Sequence, residues 1–127
     1  MMKKIIIDTN ALMAISEFKI DLFSEIKRCC DFKYKIYVLE GTLRELDNIQ
    51  KEQRGKEKQA ARLALSLLKH QNVEVLEDDG TEKCVDDRLV YHSQQGDLVL
   101  TQDAGLKKRL QKPYLTIRQK KMVVLAD

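Results

Sequence analysis

Four acidic residues, Asp8, Glu45, Asp86 and Asp103, fall where alternating strands and helices would gather carboxylates at one end of a sheet. Asp8 ends the apolar run Ile5-Ile6-Ile7, and Asp103 follows the run Leu98-Val99-Leu100-Thr101. Open α/β sheets bind ligands outside the carboxyl ends of their strands, so an acid there is either a turn-former or part of a site. Glu45 sits in the first turn of a helix expected after another apolar run, and Asp86 borders the apolar side of a later helix. Carboxylates brought within a few ångströms repel one another unless cations join them. Magnesium or manganese suits an all-oxygen donor set, and one or two such ions can clamp the attacking and leaving oxygens of a phosphodiester.

Each acid also has an ordinary structural explanation. Asp103 makes a good helix N-cap. Asp8 suits a turn, with Thr9 or Asn10 able to cap the next helix in its place. Thr42-Leu43-Arg44-Glu45 has the pattern of a capping box, in which the glutamate reaches back to the backbone amide of the threonine. Asp86-Asp87 is the hardest to dismiss. The pattern predicts a helix over about 82–95, where adjacent aspartates have poor propensity. Asp86 precedes Leu89 by three residues and Val90 by four, whereas Asp87 points toward Tyr91 and Gln94. A carboxylate beside a core face needs a partner, and Arg88 or Lys83 would have to reach round to supply one. A divalent cation would supply it directly. His70 and His92 have no spacing that suggests a triad or a zinc site.

The elements that must position these acids follow from apolar runs alternating with helical patterns. Strands are expected at 3–8, 34–39, 73–76, 97–101 and 114–117, with a further candidate at 122–125. Helices are expected around Leu12–Phe18, Ile20–Ile26, Leu43–Gln50, Ala60–Leu68, 82–95 and 104–111. Gly55 should break the chain between the third and fourth helices. Asp78-Asp79-Gly80 signals a turn, Gly96 a left-handed helix cap, and Pro113 the end of the last helix. The expectation is an α/β fold: one domain over residues 1–127, with a central, mostly parallel sheet of four or five strands and helices on both faces.

Composition excludes several classes. No apolar stretch approaches the roughly 18–20 residues needed to span a bilayer. Lys3-Lys4 before the isoleucines imitates a signal peptide, but Asp8 cuts the apolar region short, which predicts a cytoplasmic protein. Cys29, Cys30 and Cys84 show no zinc spacing and are expected to behave as small hydrophobes. The net charge of +3 matters less than its distribution. Lys51, Arg54, Lys56, Lys58 and Arg62 form one basic cluster; Lys107, Lys108, Arg109 and Lys112 form another. Each is either a solvated surface or a track for a polyanion.

The segments IIIDTNALM, VLEGTLRELD, KCVDDRLVYHSQ and DLVLTQDAGLKKRL together resemble the PIN-domain family of metal-dependent ribonucleases, over nearly the whole chain. The details are most similar to the branch of archaeal and eukaryotic rRNA-processing endonucleases, with the VapC-type toxins of toxin–antitoxin pairs close behind. Unlike some members of the first branch, this chain carries no zinc ribbon. The resemblance implies a three-layer α/β/α domain whose acidic site is Asp8, Glu45, Asp86 and Asp103, holding one or two Mg²⁺ or Mn²⁺ ions. It assigns supporting positions to Asn10, Asp87 and Thr101. It implies single-stranded RNA as substrate, cleaved by activated water to leave a 5′-phosphate and a 3′-hydroxyl. Lys107, Lys108, Arg109 and Lys112 would hold the strand. An antitoxin or a ribosomal precursor is the implied partner, and a homodimer is compatible with the sequence. Two other classes fit in part: a receiver-type phosphoacceptor, which would want a second acid beside Asp8, and a PIN-fold RNA-binding or ribosome-assembly factor with negligible turnover.

Overall fold

Ile5, Ile6 and Ile7 are fully buried, which requires their strand to be covered on both faces. In the computed structural model, which describes residues 2–77 and 84–127, that strand is β1 (Lys3–Ile7), inside a six-stranded sheet. The chain continues through α1 (Thr9–Phe18), α2 (Leu22–Cys29), β2 (Tyr34–Leu39), α3 (Glu40–Glu52), α4 (Lys56–His70) and β3 (Glu74–Leu76). Next come α5 (Val85–Gln94), β4 (Leu98–Leu100), α6 (Ala104–Arg109), β5 (Tyr114–Arg118) and β6 (Met122–Ala126). The expected Asp78-Asp79-Gly80 turn, Lys83 and the first residues of the helix foreseen from 82 lie outside the described residues.

The sheet order is β3-β2-β1-β4-β5-β6, parallel throughout except for the antiparallel pair β5–β6. Six strands replace the expected four or five, because the run at 122–126 turns back on β5 through Gln119 and Lys120, both at positive φ. Neither residue type announces a tight turn as glycine or asparagine would. Side-chain alternation divides the core into two layers. Ile5 and Ile7 pack with Leu12, Ile26, Ala61, Ala64 and Leu68 on one face; Ile6 packs with Leu39, Leu89, Val99 and Leu106 on the other. The result is helix–sheet–helix. Successive connections from β1 lead to β2 on one side, while β4 lies on the other, so the order reverses between β1 and β4. In open sheets of this kind, such a reversal at the carboxyl ends of the strands is where ligands bind.

Helix boundaries differ instructively from expectation. Residue Leu39 occupies the cap position of α3 and Cys84 that of α5, neither with a side-chain cap bond, so no polar signal marks these starts. Gly55 at φ +65° opens α4, and Gly96 at φ +95° follows α5, both in the conformation that favours glycine. The last helix ends at Arg109, short of Pro113. Burial pushes the Cys30 thiol up to about 12, which keeps it an inert core group. Among the described residues, no helix is long and apolar enough to cross a membrane.

Candidate active site

Asp8 stands at the junction of β1 and α1, only 4% exposed. Its backbone amide continues the β1–β4 pairing by donating to Leu100 O at 2.9 Å. Asp8 itself, rather than Thr9 or Asn10, caps α1: its Oδ1 accepts the Thr9 amide at 2.7 Å. Its Oδ2 accepts the Thr101 hydroxyl at 2.8 Å. That hydroxyl also accepts the Asp103 amide at 3.1 Å, which ties the end of β4 to the end of β1. Asn10 Oδ1 accepts the Gln102 amide at 3.0 Å and lies 3.3 Å from the Thr101 hydroxyl. Asn10 and Thr101 therefore hold the two strand ends together around Asp8. Burial raises the Asp8 carboxyl from 3.8 to about 6, against the lowering effect of its hydrogen bonds from Thr101 and Thr9. The negative charges of Asp86 and Glu45 push it further in the same direction. These two acids, 78 and 37 positions along the chain, thus bear on Asp8 through space.

The capping-box explanation of Glu45 fails. Helix α3 begins at Glu40, so Thr42 lies inside it rather than before it. Thr42 is fully buried, and among the described residues its hydroxyl has no hydrogen-bond partner. Glu45 instead accepts the Thr9 hydroxyl at 2.7 Å, which turns it toward the end of β1. Thr42→Val is therefore expected to leave stability unchanged or to raise it by up to about 1 kcal/mol, since it removes an orphaned hydroxyl. A working capping box would instead cost about 1 kcal/mol on losing its threonine. Chemical denaturation of the two proteins decides between them.

Asp86 and Asp87 do not sit in a helix interior, where their propensity would be poor. Both residues occupy the first turn of α5, where the helix dipole and unpaired amides favour acids. The two face differently. Asp86 is half-buried and contributes to the field at Asp8, whereas exposed Asp87 accepts Arg109 Nη2 at 2.7 Å. That ion pair fastens α6 to α5, so Arg109, expected to hold a polyanion, also has an intramolecular role. Asp103 performs the cap it was expected to perform: its Oδ1 accepts the amides of Gly105 and Leu106 at 2.8 and 3.2 Å. Lys107, Lys108 and Arg109 fill the last turn of α6, and Lys112 lies just beyond. At 1.5 Å per residue this basic turn starts only about 6 Å along the helix from Asp103. In the other basic cluster, Lys51 is paired with Asp47 at 2.8 Å.

Two contributors escaped the sequence reading. Thr9, inside the D-T-N run, aims Glu45. Gln102, between Thr101 and Asp103, anchors their loop to β5 by accepting the Thr116 hydroxyl at 2.9 Å and the Ile117 amide at 2.6 Å. Their identity as polar residues beside site acids was the available signal; their partners on other elements were not visible.

The donor set is all carboxylate oxygen, with an excess of negative charge around a buried acid, and that fits a hard divalent ion. Yet among the described residues no three candidate ligands already stand together as a coordination group. Asp8, Glu45 and Asp103 each hold local hydrogen bonds.

Comparison with known proteins agrees with this architecture. The family model described as a PIN-like domain matches residues 5–120. The chain is 32% identical to Ribonuclease VapC4 of Methanocaldococcus jannaschii over 127 aligned residues, covering 94% of each protein. It is 31% identical to Ribonuclease VapC9 of Archaeoglobus fulgidus, covering 82% of this chain and 73% of that one. Among solved structures, the PIN domain endonuclease Utp24 superimposes with a TM-score of 0.77 at 27% identity, covering 96% of this chain and 90% of that one.

Proposed function

The chain belongs to the PIN-like domain family, and on that premise we propose that it is a metal-dependent endoribonuclease acting on single-stranded RNA in the cytoplasm. The observation that carries this reading is the buried carboxylate of Asp8 at the sheet's switch point, its pKa raised chiefly by burial and further by the nearby charges of Asp86 and Glu45. Asp8, Glu45, Asp86 and Asp103 would hold one or two Mg²⁺ or Mn²⁺ ions. Such ions supply Lewis-acid activation of water and stabilise charge on the phosphoryl oxygens.

The protein's own groups do the positioning. Thr101 and Thr9 donate to Asp8 and Glu45 and fix how those carboxylates are oriented. Asn10 and Gln102 hold the β4–α6 loop that carries Asp103. Lys107, Lys108 and Lys112, with Arg109 exchanging between Asp87 and phosphate, would steer the strand along α6. In the reaction, water adds in line to phosphorus and the P–O3′ bond breaks. One water proton passes to a carboxylate, the departing O3′ is protonated, and the products carry a 5′-phosphate and a 3′-hydroxyl.

The structural likeness to the PIN domain endonuclease Utp24 favours internal cleavage, and the rRNA-processing role follows from the sequence resemblance to that branch. A VapC-type toxin ribonuclease, with an antitoxin as partner, is favoured by the names of the two curated relatives. Both readings share the same chemistry. Asp86→Asn is expected to lower cleavage of a single-stranded oligoribonucleotide by about a hundredfold or more. Asp87→Asn, which removes an exposed ion pair worth up to about 1 kcal/mol, should lower it less than about tenfold. Single-turnover cleavage rates of the two variants test the assignment, and the reverse order would exchange their roles.

A further inference from the structure

A cleft of about 310 Å³ runs between the first half of α3 and the start of α5, sharing Glu45 with the acidic site. Gly41, Arg44, Glu45 and Asn48 line it from α3, and Val85 and Arg88 line it from α5. The α3 residues recur at helical spacing, so one face of that helix makes the wall. A Cβ on Gly41 would lie 2.8 Å from Val85 Cγ2, so any larger residue there would displace the Val85 side chain. The volume is at the low end of the roughly 300–1,000 Å³ of small-ligand pockets, which suits a single nucleotide unit.

The chemistry of the walls suits a nucleotide too. Arg88 is a buried cation at 7% exposure, and Arg44 stands at the mouth. Arg44, 3.8 Å from Glu40 and largely exposed, presents the planar guanidinium that suits phosphate oxygens. The Asn48 carboxamide offers both a donor and an acceptor, as the edge of an unpaired base requires. Resting on the ribonuclease reading, we propose that this cleft is a nucleotide subsite. It takes the unpaired RNA nucleotide adjacent to the scissile bond, with the phosphate on Arg44 in the field of Arg88 and the base edge on Asn48.

The test is fluorescence anisotropy with 5′-labelled eight-nucleotide oligomers of adenylate, cytidylate and uridylate, in EDTA so that turnover is not needed. Arg44→Gln should weaken binding about tenfold and flatten the log–log salt dependence by about 0.7, the value of one phosphate contact on a single strand. Asn48→Ala should leave the salt slope as it is and bring the three affinities to within about twofold of one another. Unchanged affinities and base preference in both variants would overturn the subsite, as would a wild-type protein that fails to bind any of the oligomers at low salt. A wild type that binds with these dependences but never cleaves in manganese would sink the ribonuclease reading while upholding the subsite.

Discussion

Asp8→Asn is expected to stabilise the metal-free protein at neutral pH while lowering RNA cleavage about a thousandfold. The rise of the Asp8 carboxyl from 3.8 to about 6 means that burying its charge costs of order 2–3 kcal/mol. Between about pH 4 and pH 6 the native state binds more protons than the unfolded chain, so wild-type stability falls as the pH rises through that window. Above about pH 6 the whole penalty is present; below about pH 4 it vanishes. Asparagine carries no charge at either end of that range. It keeps an oxygen for the Thr9 amide and loses the acceptor that Thr101 uses, which costs about 1 kcal/mol. The net gain at pH 7.5 should be about 1–2 kcal/mol, or about 3–10 °C in melting temperature for a domain of this size. At pH 4 the gain should disappear or reverse. Melting curves in EDTA at the two pH values check this, and a variant less stable than wild type at pH 7.5 would mean that the Asp8 charge is well solvated.

The second large effect is the response to divalent cations. An ion that binds the native acids and not the unfolded chain stabilises by about 2.7 kcal/mol at a concentration one hundred times its dissociation constant. Manganese should therefore raise the wild-type melting temperature by roughly 5–10 °C at pH 8. The increase should be much smaller at pH 5, where protons compete for Asp8, and nearly absent in Asp8→Asn. Each of these acids accepts its local hydrogen bonds through one oxygen, Glu45 from Thr9 and Asp103 from Gly105 and Leu106, which leaves the other oxygen to meet the ion. A melting temperature indifferent to saturating manganese at pH 8 would remove the metal from the account.

Much of the fold was legible because its signals are local. The isoleucine run of β1 and the apolar runs of β2 and β4 are short, continuous and bounded, and they placed Asp8 and Asp103 at strand ends. Helix starts without polar caps were not legible. Leu39 leads directly into α3, so the threonine three residues later kept a capping-box explanation open beside the site role of Glu45. The same silence at Cys84 put Asp86 and Asp87 inside a helix rather than in its first turn. Pairings between distant elements were invisible for a different reason. The Thr9–Glu45 bond spans 36 residues and the Arg109–Asp87 bond spans 22, and helical spacing gives a side chain's face without its partner. The family resemblance implied the acids as a set; the hydrogen bonds of Thr9, Asn10, Thr101 and Gln102 show how the strand ends that carry Asp8 and Asp103 are held.

Hydrolysis of RNA by the acids at the switch point between β1 and β4 is read by incubating a 5′-labelled single-stranded RNA with wild-type protein and with Asp8→Asn in manganese, then resolving the fragments and their termini. Internal cleavage leaving 5′-phosphate and 3′-hydroxyl ends, abolished by EDTA and reduced about a thousandfold in Asp8→Asn, is the predicted result. Cleavage at the wild-type rate by Asp8→Asn, or no cleavage by the wild type, would contradict it.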